Sequence, residues 1–485
     1  MSVVSCQNYI GGEWVSAENE KTFEQRNPAR LSEVTGRFAL SSATDVRRAI
    51  AAAEEAFPKW RSTSPARRAE ILRRAWRLLI DRRESIAKVV TAENGKTMAE
   101  SLAEVDSAAQ EMEYQIAEGL RMFGETAPSR QSGVFAYSMR EPLGVAGIIS
   151  PWNFPFNVPV RKCVPALISG NTCVFKPASL TPQTGVRFVE LFCDAGLPAG
   201  VLNLVTGPGG EAGDTLISDP RVKAISFTGS TNVGMAIHQK AAATLTRTQL
   251  EMGGKNAAVI LEDADLDLAA DATVLAAFAC AGQWCTSTSR AIVSKNIAEE
   301  FAARVVDRAA SICVGDGTDP ATGMGPVCGR AQLDGILKYI EKGREEGAIL
   351  LTGGGRVSGA AWDDGCFIRP TVFGNVTPDM AIAREEIFGP VLVLLTVADL
   401  DEAIRVADAV PFGLASSIFT NDLSKAMAFV ERTDVGLTHV NMMSAYKEPQ
   451  LAFGGRKESG FGLPEAGKTG IEFFTQHKVV YVKYR

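Results

Sequence analysis

The chain has 485 residues, of which 46% are apolar and 22% charged, and its formal net charge at pH 7 is -6. These values are ordinary for a globular protein, and the length allows two or three domains with a large buried core. A nucleic-acid binder would show a basic patch, and the sequence gives no sign of one, nor of a nucleic-acid partner.

Residues 1–14 contain neither a basic start nor a long apolar run, so we expect no secretory leader. No stretch of 18 uncharged apolar residues occurs, which predicts no membrane span and no membrane partner. The nine cysteines are widely spaced and the three histidines lie far apart, a pattern that favours neither a disulfide framework nor a metal site. The expected compartment is a reducing cytoplasm.

Helices are predicted first along the chain, at residues 43–56, 65–80 and about 97–123, where apolar residues recur every three or four positions. The pattern changes at residues 145–149, a continuous apolar run that is typical of a buried parallel strand. Further strands are predicted at 172–175, 201–205, 224–227 and 248–250, and helices between them at 160–168, 181–195, 211–218 and 232–242. This alternation predicts a doubly wound α/β sheet with right-handed crossovers.

A second alternating region follows Gly254, with a strand at 259–261, a helix at 265–279 and further elements to about Phe419. The fold class is therefore α/β, with two sheet layers in series. Segments 129–140 and 473–484 have strand-like alternation outside both layers, and we expect them to pair with each other or with another subunit.

Cys285 stands out among the cysteines because small and polar residues surround it, including Gly282, Gln283 and Thr286. Most cysteines are small core hydrophobes, and Cys163 and Cys173 fit that description. The surroundings of Cys285 suit an accessible thiol near backbone N–H donors, which would lower its pKa.

Two polar residues follow predicted strands. Glu251 comes at the end of a strand and before Gly253-Gly254, a position where α/β proteins place site residues. Asn153 lies in the stiff turn Pro151-Trp-Asn-Phe-Pro155, where a buried amide is able to stabilise an oxyanion. The alternative interpretations are a solvated loop glutamate and a rigid turn with an asparagine cap.

Signals for a dinucleotide are weaker, because no GxGxxG fingerprint occurs. The segment Gly207–Gly213 has the wrong spacing. The segment Phe227–Gly234 resembles a strand, a glycine turn and a helix start, whose free N–H groups suit a phosphate. Lys176, at the end of a strand, is able to reach ribose or phosphate oxygens. Each of these features also fits an ordinary turn or a surface lysine.

Seven motifs, taken together and in order, resemble the aldehyde dehydrogenase superfamily over nearly the whole chain. They are Pro-Trp-Asn-Phe-Pro, Phe-Lys-Pro-Ala, Phe-Thr-Gly-Ser, Leu-Glu-Met-Gly-Gly-Lys, Gly-Gln-Trp-Cys, Glu-Glu-Ile-Phe-Gly-Pro and Phe-Gly-Gly-Arg-Lys. The resemblance implies a Rossmann-type cofactor domain (residues 1–128 and 141–250) and an α/β catalytic domain (251–440). It also implies a small β oligomerisation arm (129–140 and 470–485), with 441–469 returning to the cofactor domain.

The resemblance implies a catalytic set of Cys285, Glu251, Asn153 and Lys176. Cys285 would attack the aldehyde carbon, the Asn153 amide and the Cys285 N–H would hold the oxyanion, and Glu251 would activate the water that hydrolyses the thioester. The implied cofactor is NADP or NAD. Its expected contacts are Ile149, Trp152, Lys176, Ser179, Gly209, Phe227, Gly229, Ser230, Val233, Gly234, Glu386 and Phe388.

The cofactor preference is expected to depend on Ser179. Many NAD-preferring members have a glutamate there, which repels a 2′-phosphate, whereas a small hydroxyl leaves room and Lys176 supplies charge. The sequence thus predicts that NADP is accepted and even preferred.

The expected substrate is a small aldehyde, and Arg161 favours a carboxylated semialdehyde because arginine binds carboxylates well. Members that oxidise succinic semialdehyde usually add a second arginine six residues before the cysteine, where this chain has Ala279. The C-terminal part is more similar to 2-ketoglutaric semialdehyde dehydrogenases. Phe156 and Trp284 favour an aromatic aldehyde instead, or are plain core residues, and Arg161 also fits a salt bridge.

Three other classes of protein fit the sequence less well. A structural protein on this scaffold tends to lose the cysteine or the glutamate, and both are present here. A CoA-dependent acyl transferase lacks the glutamate, and a binding module needs no complete catalytic set. We expect a homodimer or homotetramer.

Overall fold

The computed structural model describes residues 4–360 and 362–485 of the chain. The helices in these ranges are α1 (Ala43–Ser62), α2 (Pro65–Asp81), α3 (Arg83–Asn94), α4 (Met98–Gly119), α5 (Asn157–Ile168), α6 (Pro182–Asp194), α7 (Asp214–Ser218), α8 (Thr231–Ala242), α9 (Leu266–Phe278), α10 (Ala298–Ser311), α11 (Arg330–Glu345), α12 (Ala381–Arg384), α13 (Leu400–Asp408), α14 (Leu423–Arg432) and α15 (Gly467–Phe473). None of them has both the length and the apolar composition needed to cross a membrane.

The strands in the same ranges are β1 (Val4–Cys6), β2 (Asn8–Ile10), β3 (Glu13–Val15), β4 (Thr22–Asn27), β5 (Arg30–Ala39), β6 (Thr126–Pro128), β7 (Val134–Pro142), β8 (Val145–Ile149), β9 (Thr172–Lys176), β10 (Leu202–Leu204), β11 (Val222–Thr228), β12 (Arg247–Glu251), β13 (Asn256–Ile260), β14 (Thr288–Ser294), β15 (Ile349–Thr352), β16 (Thr371–Gly374), β17 (Val391–Val397), β18 (Phe412–Gly413), β19 (Ala415–Phe419), β20 (Leu437–Val440), β21 (Arg456–Lys457), β22 (Gly460–Phe461) and β23 (Thr475–Lys483).

The first large sheet has the order β22-β12-β11-β8-β9-β10-β2-β3. Strands β12 to β10 in this order are all parallel, and β8 is the first of them in the chain. Because β9 lies on one side of β8 and β11 on the other, the strand order reverses at β8. Ligands of doubly wound sheets bind in the crevice at such a reversal, beyond the carboxyl ends of the strands.

The second large sheet has the order β15-β16-β17-β14-β13-β19-β20, and β15 is its one antiparallel member in the described ranges. Its apolar residues form a separate core with α9, α10 and α11. Two further cores cover the two faces of the first sheet. The predicted α/β class and its alternation of strands and helices are confirmed.

A third sheet, β23-β7-β6, lies outside both layers. β23 pairs antiparallel with β7 in an unbroken register from Thr475 opposite Pro142 to Lys483 opposite Val134. The expected pairing of the two outlying segments therefore occurs within one chain.

The sequence-based prediction is incomplete near the N-terminus, where helices alone are predicted and strands β1 to β5 precede α1. Helix α3 is also missed. These strands are short or carry mixed polar residues; β2 pairs with β3 and β4 with β5, and β2 also pairs with the distant β10. Since strand pairing of this kind leaves no local period, a window along the sequence does not reveal it.

Candidate active site

Two cavities meet at Cys285. The front cavity, of about 340 Å³, is lined by Trp152, Gly229, Ser230, Glu386 and Phe388, among others. The rear cavity, of about 440 Å³, is lined by Phe154, Arg161, Trp284, Lys447 and Phe453, among others. Four residues line both: Asn153, Thr228, Glu251 and Cys285. The predicted nucleophile, base and oxyanion amide are thus brought to one boundary between two cavities.

The order of strands explains how these residues meet. Strands β8, β11 and β12 are parallel neighbours, so the residues at and beyond their carboxyl ends lie side by side. Thr228 and Glu251 are the last residues of β11 and β12, and the turn that holds Asn153 follows β8. Cys285 comes from the second layer, between α9 and β14.

A left-handed turn leads to Cys285. Cys280, Ala281 and Gly282 have φ values of 54°, 55° and 68°, a region that L residues other than glycine rarely adopt. A Cβ at Gly282 would lie 2.2 Å from the Gly389 carbonyl oxygen, so glycine is required there by close packing as well as by its φ. Asn256 at the start of β13 holds the backbone of Cys285 itself, since its side-chain amide donates to the Cys285 carbonyl at 2.8 Å.

Asn153 is 5% exposed, and its side-chain amide donates to the Gln283 carbonyl at 3.1 Å. Its own turn is held by Asn94, which donates to the Trp152 carbonyl at 2.9 Å. A primary amide has two N–H donors, so one remains after the bond to Gln283. The arrangement presents a fixed donor beside the segment that carries Cys285.

Glu251 is 2% exposed, and one of its carboxylate oxygens has no hydrogen-bond partner. Burial raises its pKa well above the ordinary value, and the nearby Glu465 carboxylate raises it further, while Lys162 and Arg161 act in the opposite direction. A carboxyl group in such surroundings is a strong base once it is ionised.

Cys285 is partly exposed, but its pKa is raised well above the ordinary value, first by desolvation and then by the Glu251 carboxylate. The sequence-based expectation of a lowered pKa is therefore wrong for this structure. Arg161 acts to lower the pKa, but the dry surroundings and the carboxylates outweigh it.

A buried ion cluster lies behind Glu251 and was not found from the sequence. Lys162 contacts Glu465 and donates to the Ser226 hydroxyl at 2.9 Å, and Glu465 accepts a bond from Thr228 at 3.0 Å. Lys162 is adjacent to Arg161 on α5, whereas Glu465 lies far away in the chain, just before α15. No local pattern signals this pairing, because only the fold brings these residues together.

The front cavity has the chemistry that a nicotinamide dinucleotide needs. Trp152 and Phe388 form an edge-to-face aromatic wall, with ring centroids 5.4 Å apart. Glu386 accepts a hydrogen bond from the Gly254 N–H at 2.9 Å, and burial raises its pKa to about 7. Ser230 is at the N-cap position of α8 and makes no side-chain capping bond, and free N–H groups at such a helix start suit a phosphate.

Other predicted cofactor residues lie outside both cavities, along or near the same edge of the first sheet. They are Ile149, Lys176, Ser179, Gly209, Phe227, Val233 and Gly234. Ile149 ends β8, opposite Lys176 at the end of β9. Lys176 is 4% exposed and donates to the Pro177 carbonyl at 3.3 Å. Lys176 lines neither of the two cavities at Cys285, and its place in the catalytic set stays a prediction.

Of the predicted substrate residues, Arg161 and Trp284 line the rear cavity and Phe156 does not. Trp284 lines it and packs on Phe154, with centroids 5.2 Å apart. Phe156 does not line it: the ring is fully buried in the core against Phe188. The prediction for Phe156 is therefore wrong, since its side chain faces inward at the start of α5 and Phe154 occupies the wall instead.

The chain is similar to known proteins over nearly its whole length. A model of the aldehyde dehydrogenase family matches residues 14–480. An alpha-ketoglutaric semialdehyde dehydrogenase of Bacillus subtilis is 42% identical, with 100% of each chain covered. An NAD-dependent aldehyde dehydrogenase structure from Sinorhizobium meliloti has a TM-score of 0.96 at 37% identity, covering 99% of this chain and 95% of that one. A betaine aldehyde dehydrogenase from Staphylococcus aureus in complex with NAD+ has a TM-score of 0.97 at 34% identity, covering 99% and 95%.

Proposed function

The chain belongs to the aldehyde dehydrogenase family and is an NAD(P)-dependent oxidoreductase acting on aldehydes, and we propose that its substrate is a carboxylated semialdehyde and its nucleophile Cys285. The observation that carries this proposal is the boundary at which both cavities expose Cys285, Glu251 and Asn153. One cavity then holds the oxidant and the other the aldehyde, with the reacting thiol between them.

In the first step, Cys285 sulfur forms a bond to the aldehyde carbon, and the carbonyl oxygen becomes an oxyanion. The remaining N–H of Asn153 and the backbone N–H of Cys285 stabilise that charge in a water-poor site. The thiol must lose its proton first, and Glu251 is the nearby base whose charge most affects it. A covalent adduct divides a difficult oxidation into two easier steps.

A nicotinamide dinucleotide, when bound, would supply the acceptor for the hydride that leaves the tetrahedral carbon on Cys285, and a thioester would remain on the sulfur. We propose that Trp152, Phe388 and Glu386 hold its nicotinamide riboside and that Gly229 and Ser230 hold its phosphates. Glu251 then removes a proton from a water molecule, whose oxygen attacks the thioester carbon and releases the acid and the free thiol.

Arg161 supports a carboxylated substrate because it is buried, lines the rear cavity and has an Nε without a hydrogen-bond partner. The curated relative named for alpha-ketoglutaric semialdehyde supports the same class. The aromatic pair of Phe154 and Trp284 leaves an aromatic aldehyde as the second candidate, which the charged end of the cavity does not favour.

We expect Arg161→Leu to raise KM for succinic or 2-ketoglutaric semialdehyde about 10- to 100-fold, because a charge-assisted hydrogen bond to the carboxylate is lost. The measurement is kcat/KM for these substrates against butanal and benzaldehyde. Arg161→Lys should recover part of the loss. An unchanged ratio of carboxylated to uncharged substrates would contradict the proposal.

We also propose that NADP is accepted and preferred. Ser179 leaves room for a 2′-phosphate, and Lys176 at the end of β9 supplies a positive charge. Burial lowers the pKa of Lys176 to about 8, so the lysine is protonated below that pH and loses its charge above it. The advantage of NADP should therefore fall as the pH rises through 8.

Ser179→Glu should lower kcat/KM for NADP about 10-fold or more and leave the value for NAD similar, because the new carboxylate repels the 2′-phosphate. Ser179→Gln has the same size without the charge and serves as the control. A wild-type enzyme that uses only NAD would contradict the proposed preference.

Each proposed domain corresponds to one of the three sheets described above. We propose that the first sheet is the cofactor domain, the second the catalytic domain and β6, β7 and β23 the oligomerisation arm. The arm exposes apolar side chains, including Phe135, Val479 and Tyr481, which supports a homodimer or homotetramer.

The nine free cysteines support a reducing cytoplasm as the compartment.

A further inference from the structure

Lys447 lines the rear cavity together with Arg161, although the two residues come from different parts of the fold. Arg161 is on α5, and Lys447 is on the loop that follows β20. We propose that Lys447 is the second cationic contact for the distal carboxylate of the substrate, a role that an arginine at position 279 would otherwise have. This inference rests on the proposed function.

Arg161 and Lys447 both contact the carboxylate of Glu111, and neither contact is short. Arg161 Nε lies 3.8 Å from Glu111 Oε2, and Lys447 Nζ lies 3.4 Å from the same oxygen. The other acidic contact of Arg161, to Glu465, is 3.7 Å long. The Lys447 contact is a long hydrogen bond, and Arg161 has one short bond, from Nη2 to the Asn157 side chain at 2.9 Å. Since a guanidinium has five N–H donors and an ammonium three, both cations retain donors for a ligand.

The balance of charges at this end of the cavity also favours an anionic ligand. Arg161, Lys162 and Lys447 face the Glu111 and Glu465 carboxylates, so cations outnumber carboxylates in this cluster of ion pairs. Two other carboxylates of the wall are engaged elsewhere. Glu104 pairs with the buried Lys96 at 2.6 Å, and Glu100 accepts a bond from the Cys280 N–H at 2.6 Å.

A ligand carboxylate would offset the cost of burying the Lys447 charge beside Arg161. Burial, followed by the charge of Arg161, lowers the pKa of Lys447 to about 8. An anion between the two cations favours the charged form of both. Ala279 lines the same cavity, and its small side chain supplies no competing donor. The two-cation site is therefore built from α5 and the loop after β20.

The experiment compares Lys447→Met, which keeps the length of the chain and removes the charge, with wild-type enzyme. Substrates are 2-ketoglutaric semialdehyde, succinic semialdehyde and the uncharged butanal. KM for the two carboxylated substrates should rise about 10-fold or more, with kcat within about 2-fold, and KM for butanal should not rise. Lys447→Arg should restore KM, because it restores the charge.

Two controls separate a substrate contact from a structural role. Lys468→Met removes an exposed lysine paired only to Glu472 on the same helix and should change no constant. Equal losses of kcat for butanal and the carboxylated substrates in Lys447→Met, or no rescue by Lys447→Arg, would overturn the inference in favour of a structural role for Lys447.

Two measurements distinguish a wrong role for Lys447 from a wrong substrate class. If Arg161→Leu raises KM for carboxylated substrates and Lys447→Met does not, Lys447 is not a substrate contact and the proposed function stands. If wild-type enzyme shows no preference for carboxylated aldehydes over butanal, both proposals are overturned.

Discussion

Cys285→Ala should abolish aldehyde oxidation, with a loss of about 10⁴-fold or more in kcat, because the covalent adduct cannot form without the sulfur. No other thiol is placed to replace it at the boundary of the two cavities described above: Cys280, the other cysteine of the rear cavity, is the first residue of the left-handed turn and does not line the front cavity. The measurement is NAD(P)H formation with each substrate.

Cys313→Ala is the matched control, because Cys313 is an exposed cysteine outside both cavities. It should keep wild-type activity. Mass spectrometry of enzyme mixed with aldehyde and cofactor should detect an acyl adduct on Cys285 of the wild type. Turnover by a correctly folded Cys285→Ala protein, shown by an unchanged Tm, would contradict the assignment of the nucleophile.

Glu251→Gln should stop the reaction after the thioester, because the amide cannot take a proton from water. The expected time course is a burst of about one NAD(P)H per active site, followed by a steady rate reduced about 10³-fold. Formation of the thioester should be less affected, since removal of the Glu251 charge lowers the pKa of Cys285. Stopped-flow absorbance measures both phases.

The pH profile provides a second test of Glu251. Hydrolysis needs the carboxylate, and burial raises the pKa of this group well above its ordinary value. The steady rate of the wild type should therefore fall as the pH drops through the raised pKa, and this acid limb should be absent in Glu251→Gln.

Glu262→Gln, at a surface position that binds Asn296, is the control and should show neither a burst nor a changed profile. A normal steady rate in Glu251→Gln would instead assign the base to another group, such as Glu465, the buried carboxylate that most raises the pKa of Glu251.

The sequence by itself determined the class of the fold and the family, and it predicted the reacting residues. Continuous apolar runs such as 145–149 signal buried parallel strands because both faces of such a strand are covered. Cys285, Glu251 and Asn153 were predicted as the reacting residues because each lies in a short motif, and the order of seven motifs identifies the family more surely than any one of them.

Only the tertiary structure decided which charged residues share the site and what their charges do. Glu465, Lys162 and Lys447 carry no motif that marks them, and Phe154 and Phe156 are indistinguishable until the start of α5 turns one toward the cavity and the other into the core. The raised pKa of Cys285 likewise reverses the expectation from its neighbours in the chain. The physical reason is that motifs record local geometry, whereas desolvation and ion pairing depend on residues that the fold brings together from distant parts of the chain.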